Sequence, residues 1–458
     1  MGLIGLAILL FFVVMSVAAP LLTPYDPLGD KFLAEGVALP SWYKAFPGYN
    51  DFPQTMEFVI FPRIGQNGWR LDSQGPLKLV GEDPLKLSFE SASEKSEYSI
   101  AELTHDFNYQ YAPPLSFQIK TDIRFEALSN SIYEIELLMI SPDSSSFSLW
   151  SSGASTKPVE PSEVSVDTKG LSFEYKSKMG LKWYQNVAER IFSRKGVYTL
   201  MMRFKLKGSL DNPAAFRVNL DRLVLHIPGR AHGILGTDHL GSDLFSQLVY
   251  GTRVSLLIGV SAALVSVVIG LLVGLVSGYL GGATDEASMR FVDVLLVLPG
   301  LPMLMILSGL FGRSVWNIVL LLGLLSWPGF ARVVRAQVLQ LKTATYVEAS
   351  KAMGSSVWGI MIRHLLPNVL PLAYATIALY IPGAIITEAA LSFLALGDPN
   401  TPSWGRIFYS ANAFGAFQHL AWWWIIPPGI AVTALSLSFV FIGTTMDEIL
   451  NPKVRARR

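Results

Sequence analysis

Cysteine is absent from all 458 residues. That excludes a disulfide framework, a thiol nucleophile and a Cys-ligated metal, while leaving the compartment open. Also missing are GxxxxGK[ST], the loop that cradles nucleotide phosphates, and GxSxG and HExxH, which carry nucleophilic and zinc-dependent hydrolysis. Net charge is only +1, which points to no nucleic-acid partner. Charge is scarce over much of the chain: of 71 Lys, Arg, Asp and Glu, 48 fall between Pro24 and Arg230, and the rest of the chain has 23. What remains there is apolar, and 51% of all residues are hydrophobic. This is a membrane protein with one soluble piece inserted into it.

Crossing about 30 Å of hydrocarbon takes about 20 apolar residues. Six runs qualify: Gly2 to Ala19, Val254 to Tyr279, Phe291 to Phe311, Val315 to Val334, Val369 to Leu396 and Trp422 to Gly443. The first run lacks a basic start and ends in Ala18-Ala19-Pro20, where proline disfavours cleavage, so it reads as a retained span and not a signal peptide. Lys and Arg sort the loops. Arg335, Lys342, Lys351 and Arg363 lie between spans four and five, and Lys453, Arg455, Arg457 and Arg458 form the tail, whereas the opposite loops hold little beyond Arg313 and Arg406. Both basic segments are expected to be cytoplasmic, with both termini inside and the insert outside.

The segment from about 335 to 368 contains the least expected stretch, TYVEASKAMGSSVWGIMIRHLLPN. Thr345 and Glu348 have capping-box spacing, Gly354 supplies a left-handed stop, and Ser355 or Ser356 can cap a second helix that Pro367 ends or bends. A first helix of about two turns is too short to persist alone in water, so it needs a surface to lean on. Tyr346, Ala349, Ala352 and Met353 share one face, suited to a groove on another molecule. A tightly packed helix hairpin without a partner fits the spacing equally.

At these residues the chain resembles the inner-membrane permease subunits of ATP-binding cassette importers. Their cytoplasmic signature reads EAA, three residues, Gly, nine residues, Ile, one residue, LeuPro. Glu348-Ala349-Ser350, Gly354 and Leu366-Pro367 fall on it, with Ser350 in place of the third small residue and His364 in place of Ile. RHLLPN is similar to the variant of the dipeptide and oligopeptide branch, as are APLLTPYDP, GTDHLGSDLFSQLVYGTRVSLLIG, TEAALSFLALGDPNTPSWG and TMDEILNPKVR. Two departures stand out: Ala395 where the family usually has Gly, and Ser242 where it usually has Arg.

The resemblance implies a six-helix permease core over residues 231–458 together with 1–27. It also implies a coupling helix that docks in a partner ATPase through Glu348, Ala349, Ser350, Ala352, Met353 and Gly354. The expected partners are a homologous second permease, two ATP-binding subunits that carry ATP and Mg2+, an extracytoplasmic solute-binding protein and membrane lipid. No cofactor is expected on this chain. Peptides are the expected cargo, with oligosaccharide or nickel as the alternative within the family.

Asp293 and Glu388 are ionisable groups at or near membrane depth, which makes them pathway candidates or members of structural pairs. Gly270, Gly274 and Gly278 form a small-residue stripe for helix packing. Asp238, His239 and Asp243 have side chains that could hold a metal, but Asp238 and Ser242 read as ordinary turn and cap residues before an interfacial helix, and a metal is not expected.

Residues 28–230 lie outside the resemblance. Stretches such as SIYEIELLMI and GVYTLMMRFKLKG have strand alternation, SPDSSSFSLWSSGASTKPVEPSEVSVDTKG is loop-like, and LKWYQNVAERIFSR reads as an amphipathic helix with Leu181, Tyr184, Val187, Ala188 and Ile191 on one side. A mostly-β sandwich, in jelly-roll form, is expected. An enzyme here would make the chain a membrane-anchored hydrolase, but Ser41 and Lys44, at SxxK spacing, stand beside no companion motif.

Overall fold

The computed structural model describes residues 1–60, 69–74, 77–83, 86–91, 99–127, 132–154, 162–168, 176–177, 181–182, 184–207 and 215–450. The basic tail lies outside the described residues. Two compact units divide the chain: Met1–Lys31 with Ser242–Arg458, and Phe32–Gly241.

The first unit is helical. α1 (Gly2–Val17) is apolar but only 16 residues long. α2 (Leu244–Leu280), α5 (Val315–Leu341), the helix from Val357 to Phe393 and α10 (Trp422–Leu450) are long and apolar enough to cross a bilayer. The expected third span is not one straight helix. It breaks into α3 (Gly282–Val297) and α4 (Gly300–Phe311), bent by 90°. The cause is local: Leu298 precedes Pro299 and is forced into an extended conformation with ψ 135. Counted together, these make four candidate spans, or five with the bent pair.

Glycine sets how closely α2 and α5 approach. A Cβ at Gly274 would fall 2.5 Å from the Ala331 carbonyl oxygen, and one at Gly270 3.0 Å from that of Trp327. The glycine stripe is therefore a packing seam. α1 lies against α10 in the same way, since a Cβ on Gly5 would come within 2.7 Å of the Ser438 carbonyl oxygen. The cap of α2 is Asp243 and not Ser242: its carboxylate accepts from the Ser246 backbone N–H and hydroxyl, both at 2.7 Å.

The second unit is built on two antiparallel sheets. The strands are β1 (Met56–Ile60), β2 (Trp69–Gln74), β3 (Leu77–Asp83), β4 (Lys86–Ser91), β5 (Ser99–Tyr109), β6 (Gln118–Ala127), β7 (Ile132–Ile140), β8 (Ser146–Ser151), β9 (Ser162–Asp167), β10 (Gly196–Lys207) and β11 (Ala215–Ile227). One sheet runs β3-β4-β11-β6-β9 with β1 also beside β11, and the other β2-β5-β10-β7-β8. Alternation chooses the buried face. Along β7, Tyr133, Ile135, Leu137 and Met139 turn inward and join Leu103, Phe107 and Phe204 of their own sheet and Ile119, Val164 and Leu225 of the other in one core. The residues between them, Glu134 and Glu136, pair across the outer face with Lys205 and Arg203.

Two expectations for this unit change. The stretch read as loop holds β8 and β9, because SFSLWS and SEVSVD have enough alternation to pair at sheet edges despite their serines. The amphipathic helix shortens to Val187–Ile191, started by Asn186, whose side chain accepts from the Ala188 backbone N–H at 2.8 Å. Leu181, Val187, Ala188 and Ile191 are buried as expected, whereas Tyr184 is exposed.

Candidate functional site

The charged stretch between the fourth and fifth spans folds as α6 (Thr345–Ala352), a turn, α7 (Val357–Ile360) and one π-helical turn (Met361–Leu365) that runs into α8 (Leu366–Phe393). The expected capping box does not form. Ala344 is the N-cap, and its carbonyl accepts from the Val347 and Glu348 backbone N–H groups at 2.9 and 3.1 Å, which places Thr345 inside the helix where its hydroxyl cannot cap. The stop is as expected. Gly354 adopts φ +83, its N–H donates to the Lys351 carbonyl at 3.0 Å, and the Ser355 N–H donates to that of Ser350 at 3.2 Å. These two bonds close a Schellman turn. Ser356 caps α7 by accepting from the Gly359 N–H at 3.1 Å.

Pro367 does not end the second helix. It has no N–H to give the preceding turn and its ring crowds the carbonyl four residues back, so the backbone widens into the π turn and continues.

α6 leans on the helices of its own unit. Val347 enters a core made by Val267 and Leu275 of α2, Phe330, Val334 and Val338 of α5, and Ile360, Met361, Leu365 and Val369 of the helix that follows. Ser350, also buried, places its hydroxyl 2.9 Å from that of Ser355 and 3.2 Å from Nε2 of His364. With Val347 and Ser350 turned in, Tyr346, Glu348, Ala349, Ala352, Met353 and Gly354 are turned out, and Met353 is 80% exposed. A small-residue surface beside one flexible thioether can accept another protein closely.

The two pathway candidates separate. Asp293 is half exposed and pairs with Arg332 of α5. Glu388 of α8 is buried, and the Ser392 hydroxyl donates to its Oε1 at 2.7 Å. Neither lines the cavity of about 270 Å³ that opens among α2, α5 and α8, whose walls include Ala262, Ser266, Ser326, Tyr380 and Thr387. Its polar groups are hydroxyls, not charges. Sequence reading missed these residues because single Ser and Thr in apolar helices carry no pattern; Pro382-Gly383, which leaves room at the wall, is the signal that was available.

Residues 266–456 match the family model described as binding-protein-dependent transport system inner membrane component, and residues 1–36 match the N-terminal TM domain of oligopeptide transport permease C. The dipeptide transport system permease protein DppC of Bacillus subtilis is 37% identical over 231 residues, 50% of this chain and 72% of its own length. The chain belongs to this permease family. The glutathione transport system permease protein GsiD of Pectobacterium atrosepticum is likewise 37% identical, over 50% of this permease and 75% of its own length. Among solved structures, the inward-facing MetNI methionine ABC transporter aligns at 20% identity with a TM-score of 0.37, covering 45% of this chain and 95% of that one.

Ser350 and His364, the two departures from the coupling signature, are in contact with each other. Ala395, in the place of the usual Gly, sits at φ +63 one residue beyond the C-cap of α8, with its N–H donated to the Ser392 carbonyl at 3.0 Å. That position calls for glycine, and alanine occupies it under strain.

Proposed function

We propose that this chain is one permease subunit of an ATP-binding cassette importer and forms half of the pathway for peptides or similar small oligomeric solutes. In this reading α6 seats in a partner ATPase. The observation that carries it is the two-sided character of α6: one face shares a core with α2, α5 and α8, and the other presents exposed small residues and Met353. A push on the outer face cannot be absorbed locally, so it moves the helices that wall the cavity beside Tyr380. A homologous second permease supplies the other half of the pathway, two ATP-binding subunits supply the work, and a solute-binding protein delivers cargo. Peptides are favoured over oligosaccharide or nickel because relatives are named for dipeptide and glutathione transport.

Topology follows from the same reading. α1, α2, the bent pair α3 and α4, α5, the helix from Val357 to Phe393 and α10 make six spans, with both termini and α6 in the cytoplasm. The β-rich unit is then extracytoplasmic and meets the solute-binding protein. Its strands β4 to β11 are arranged as β4-β11-β6-β9 and β5-β10-β7-β8, the winding of two Greek keys, which supports a jelly roll.

The absence of cysteine makes the test direct. Met353→Cys gives the chain a single thiol, and a short bismaleimide in membranes holding the assembled importer should join it to an ATPase subunit. Efficient uptake without any such adduct would reject the coupling role.

A further inference from the structure

The cavity beside Tyr380 lies among helices that otherwise touch. A Cβ on Gly259 of α2 would fall 2.8 Å from Cγ1 of Ile385 of α8, and one on Gly323 of α5 would fall 2.5 Å from Cγ1 of Val265 of α2. α9 (Trp404–Ala413) ties α2 to α8 as well: the Trp404 indole N–H donates to the Leu248 carbonyl at 2.9 Å, and a Cβ on Gly405 would come within 2.7 Å of the Ala389 Cα. Close-packed interiors hold few spaces larger than a water molecule, and this one measures about 270 Å³. It is not slack left by loose helices.

Ser266 of α2 stands in its wall, is 1% exposed, and has a hydroxyl without a hydrogen-bond partner among the described residues. Buried hydroxyls ordinarily find one, often a carbonyl of the preceding turn. Ser277 of the same helix does so, donating to the Gly274 carbonyl at 3.3 Å. Ser255 and Ser436 also lack partners, but neither lines this cavity. In the α8 wall, the Thr387 hydroxyl donates to the Gly383 carbonyl at 2.7 Å, which leaves its oxygen lone pairs to accept. A donor on one helix and an acceptor on another suit a backbone amide, which offers one of each.

Among the described residues, no Asp, Glu, Lys, Arg or His lines the cavity. A charge entering it would lose water and gain no partner, so the group it accepts is neutral. The volume falls just short of pockets that enclose a whole drug-sized ligand, and therefore suits one residue of a longer solute. Ser326, Leu379 and Gly383 are the exposed residues of the wall and mark its mouth.

We infer that this cavity is a solute subsite that takes one uncharged residue of a peptide, with Ser266 donating to its carbonyl and Thr387 accepting from its N–H. This deepens, and rests on, the peptide-importer reading. The experiment uses the full chain in detergent with Ser326→Cys as its only thiol, and follows maleimide labelling with and without trialanine. Trialanine should slow labelling at least fivefold, and so should its acetylated amide, since the ends stay outside. Ala-Asp-Ala and Ala-Lys-Ala should not. Ser266→Ala should raise the half-protecting concentration roughly fivefold, the worth of one neutral hydrogen bond, without lowering the unfolding midpoint. Gly383 has nothing within 4 Å of its absent Cβ, so Gly383→Leu fills the mouth without displacing a helix. It should abolish both the protection and uptake by the assembled importer.

Equal protection by Ala-Asp-Ala, or loss of protection when the ends are blocked, would overturn the assignment to an uncharged residue. So would slowing by added phospholipid with none by trialanine, which would give the cavity to a lipid chain, and so would undiminished uptake in Gly383→Leu. If the assembled importer takes up trialanine but labelling never responds, the subsite inference is wrong and the importer reading stands. Protection by trialanine in an importer that moves no peptide would leave the subsite and remove that reading.

Discussion

The hydroxyl of Ser350 lies 3.2 Å from Nε2 of His364, and so ties α6 to the π turn that leads into α8. Each residue alone looks like a lapse from the family signature. Together they make one polar contact in a partly buried place. Ser350→Ala should cost about 1 kcal/mol. The double variant with His364→Ala should cost less than the sum of the two, because one bond cannot be lost twice. Thermal unfolding of the four proteins in detergent gives the cycle, and strict additivity would show that the contact has no energetic weight.

Gly354 has open space where a Cβ would stand, yet φ +83. Gly354→Ala should therefore cost only the backbone penalty, about 1 kcal/mol, and leave transport nearly intact. Gly354→Pro also removes the N–H given to Lys351 and cannot adopt that φ. The protein should still insert in the membrane, while ATP hydrolysis in the assembled importer should no longer respond to substrate. Unchanged stimulation in Gly354→Pro would count against α6 as the coupling element.

Most of the long apolar helices, the stop at Gly354 and the cap at Ser356 are legible because each is written in short-range code: an apolar run, a glycine, a serine. The failures have a common cause. Spacing alone makes Thr345 a cap, but the preceding turn decides where a helix starts, and Ala344 takes that place. The apolar run from Phe291 to Phe311 reads as continuous because apolar content does not report a 90° bend, although Pro299 marks its position. The cavity beside Tyr380 is a product of tertiary packing. Its residues come from helices far apart in the chain, and no local pattern joins them.

Ala395 invites an improvement. At φ +63 glycine is free of the strain that a Cβ brings, so Ala395→Gly should stabilise the protein by about 0.5–1 kcal/mol despite the greater freedom of glycine when unfolded. A raised unfolding midpoint in detergent is the expected result. A lowered one would mean that the methyl group makes contacts worth more than the strain.

His105 on β5 gives the β-rich unit a pH dependence. Burial lowers the proton affinity of its imidazole below the ordinary value, against an opposing pull from Asp106. The unfolded chain therefore binds a proton more readily than the folded one. Stability is complete above the unfolded pKa of about 6.5 and declines as the pH falls through the folded value. Residues 32–241 produced alone should unfold at lower denaturant at pH 5 than at pH 7.5, with a smaller difference in His105→Gln. Equal slopes in the two proteins would remove His105 as the source.

Gly274 is the sharpest test of the membrane packing. A Cβ there meets the Ala331 carbonyl oxygen at 2.5 Å and the Val334 Cβ at 2.7 Å; the first is backbone and the second is fixed directly to it, so neither is a side-chain tip that could swing aside. α2 and α5 would have to part, and Val267, Leu275, Phe330 and Val334, which anchor α6 through Val347, would part with them. Gly274→Val should cost about 3 kcal/mol or more, in the upper range for overpacking, and reduce the monodisperse fraction after detergent extraction. Gly309, also in an apolar helix, has nothing within 4 Å of its absent Cβ. Gly309→Ala should be neutral or slightly stabilising, since alanine is the better helix former by about 1 kcal/mol. Equal tolerance of the two substitutions would mean that the α2–α5 seam is looser than its geometry implies, and the proposed path from α6 to the cavity would lose its rigid link.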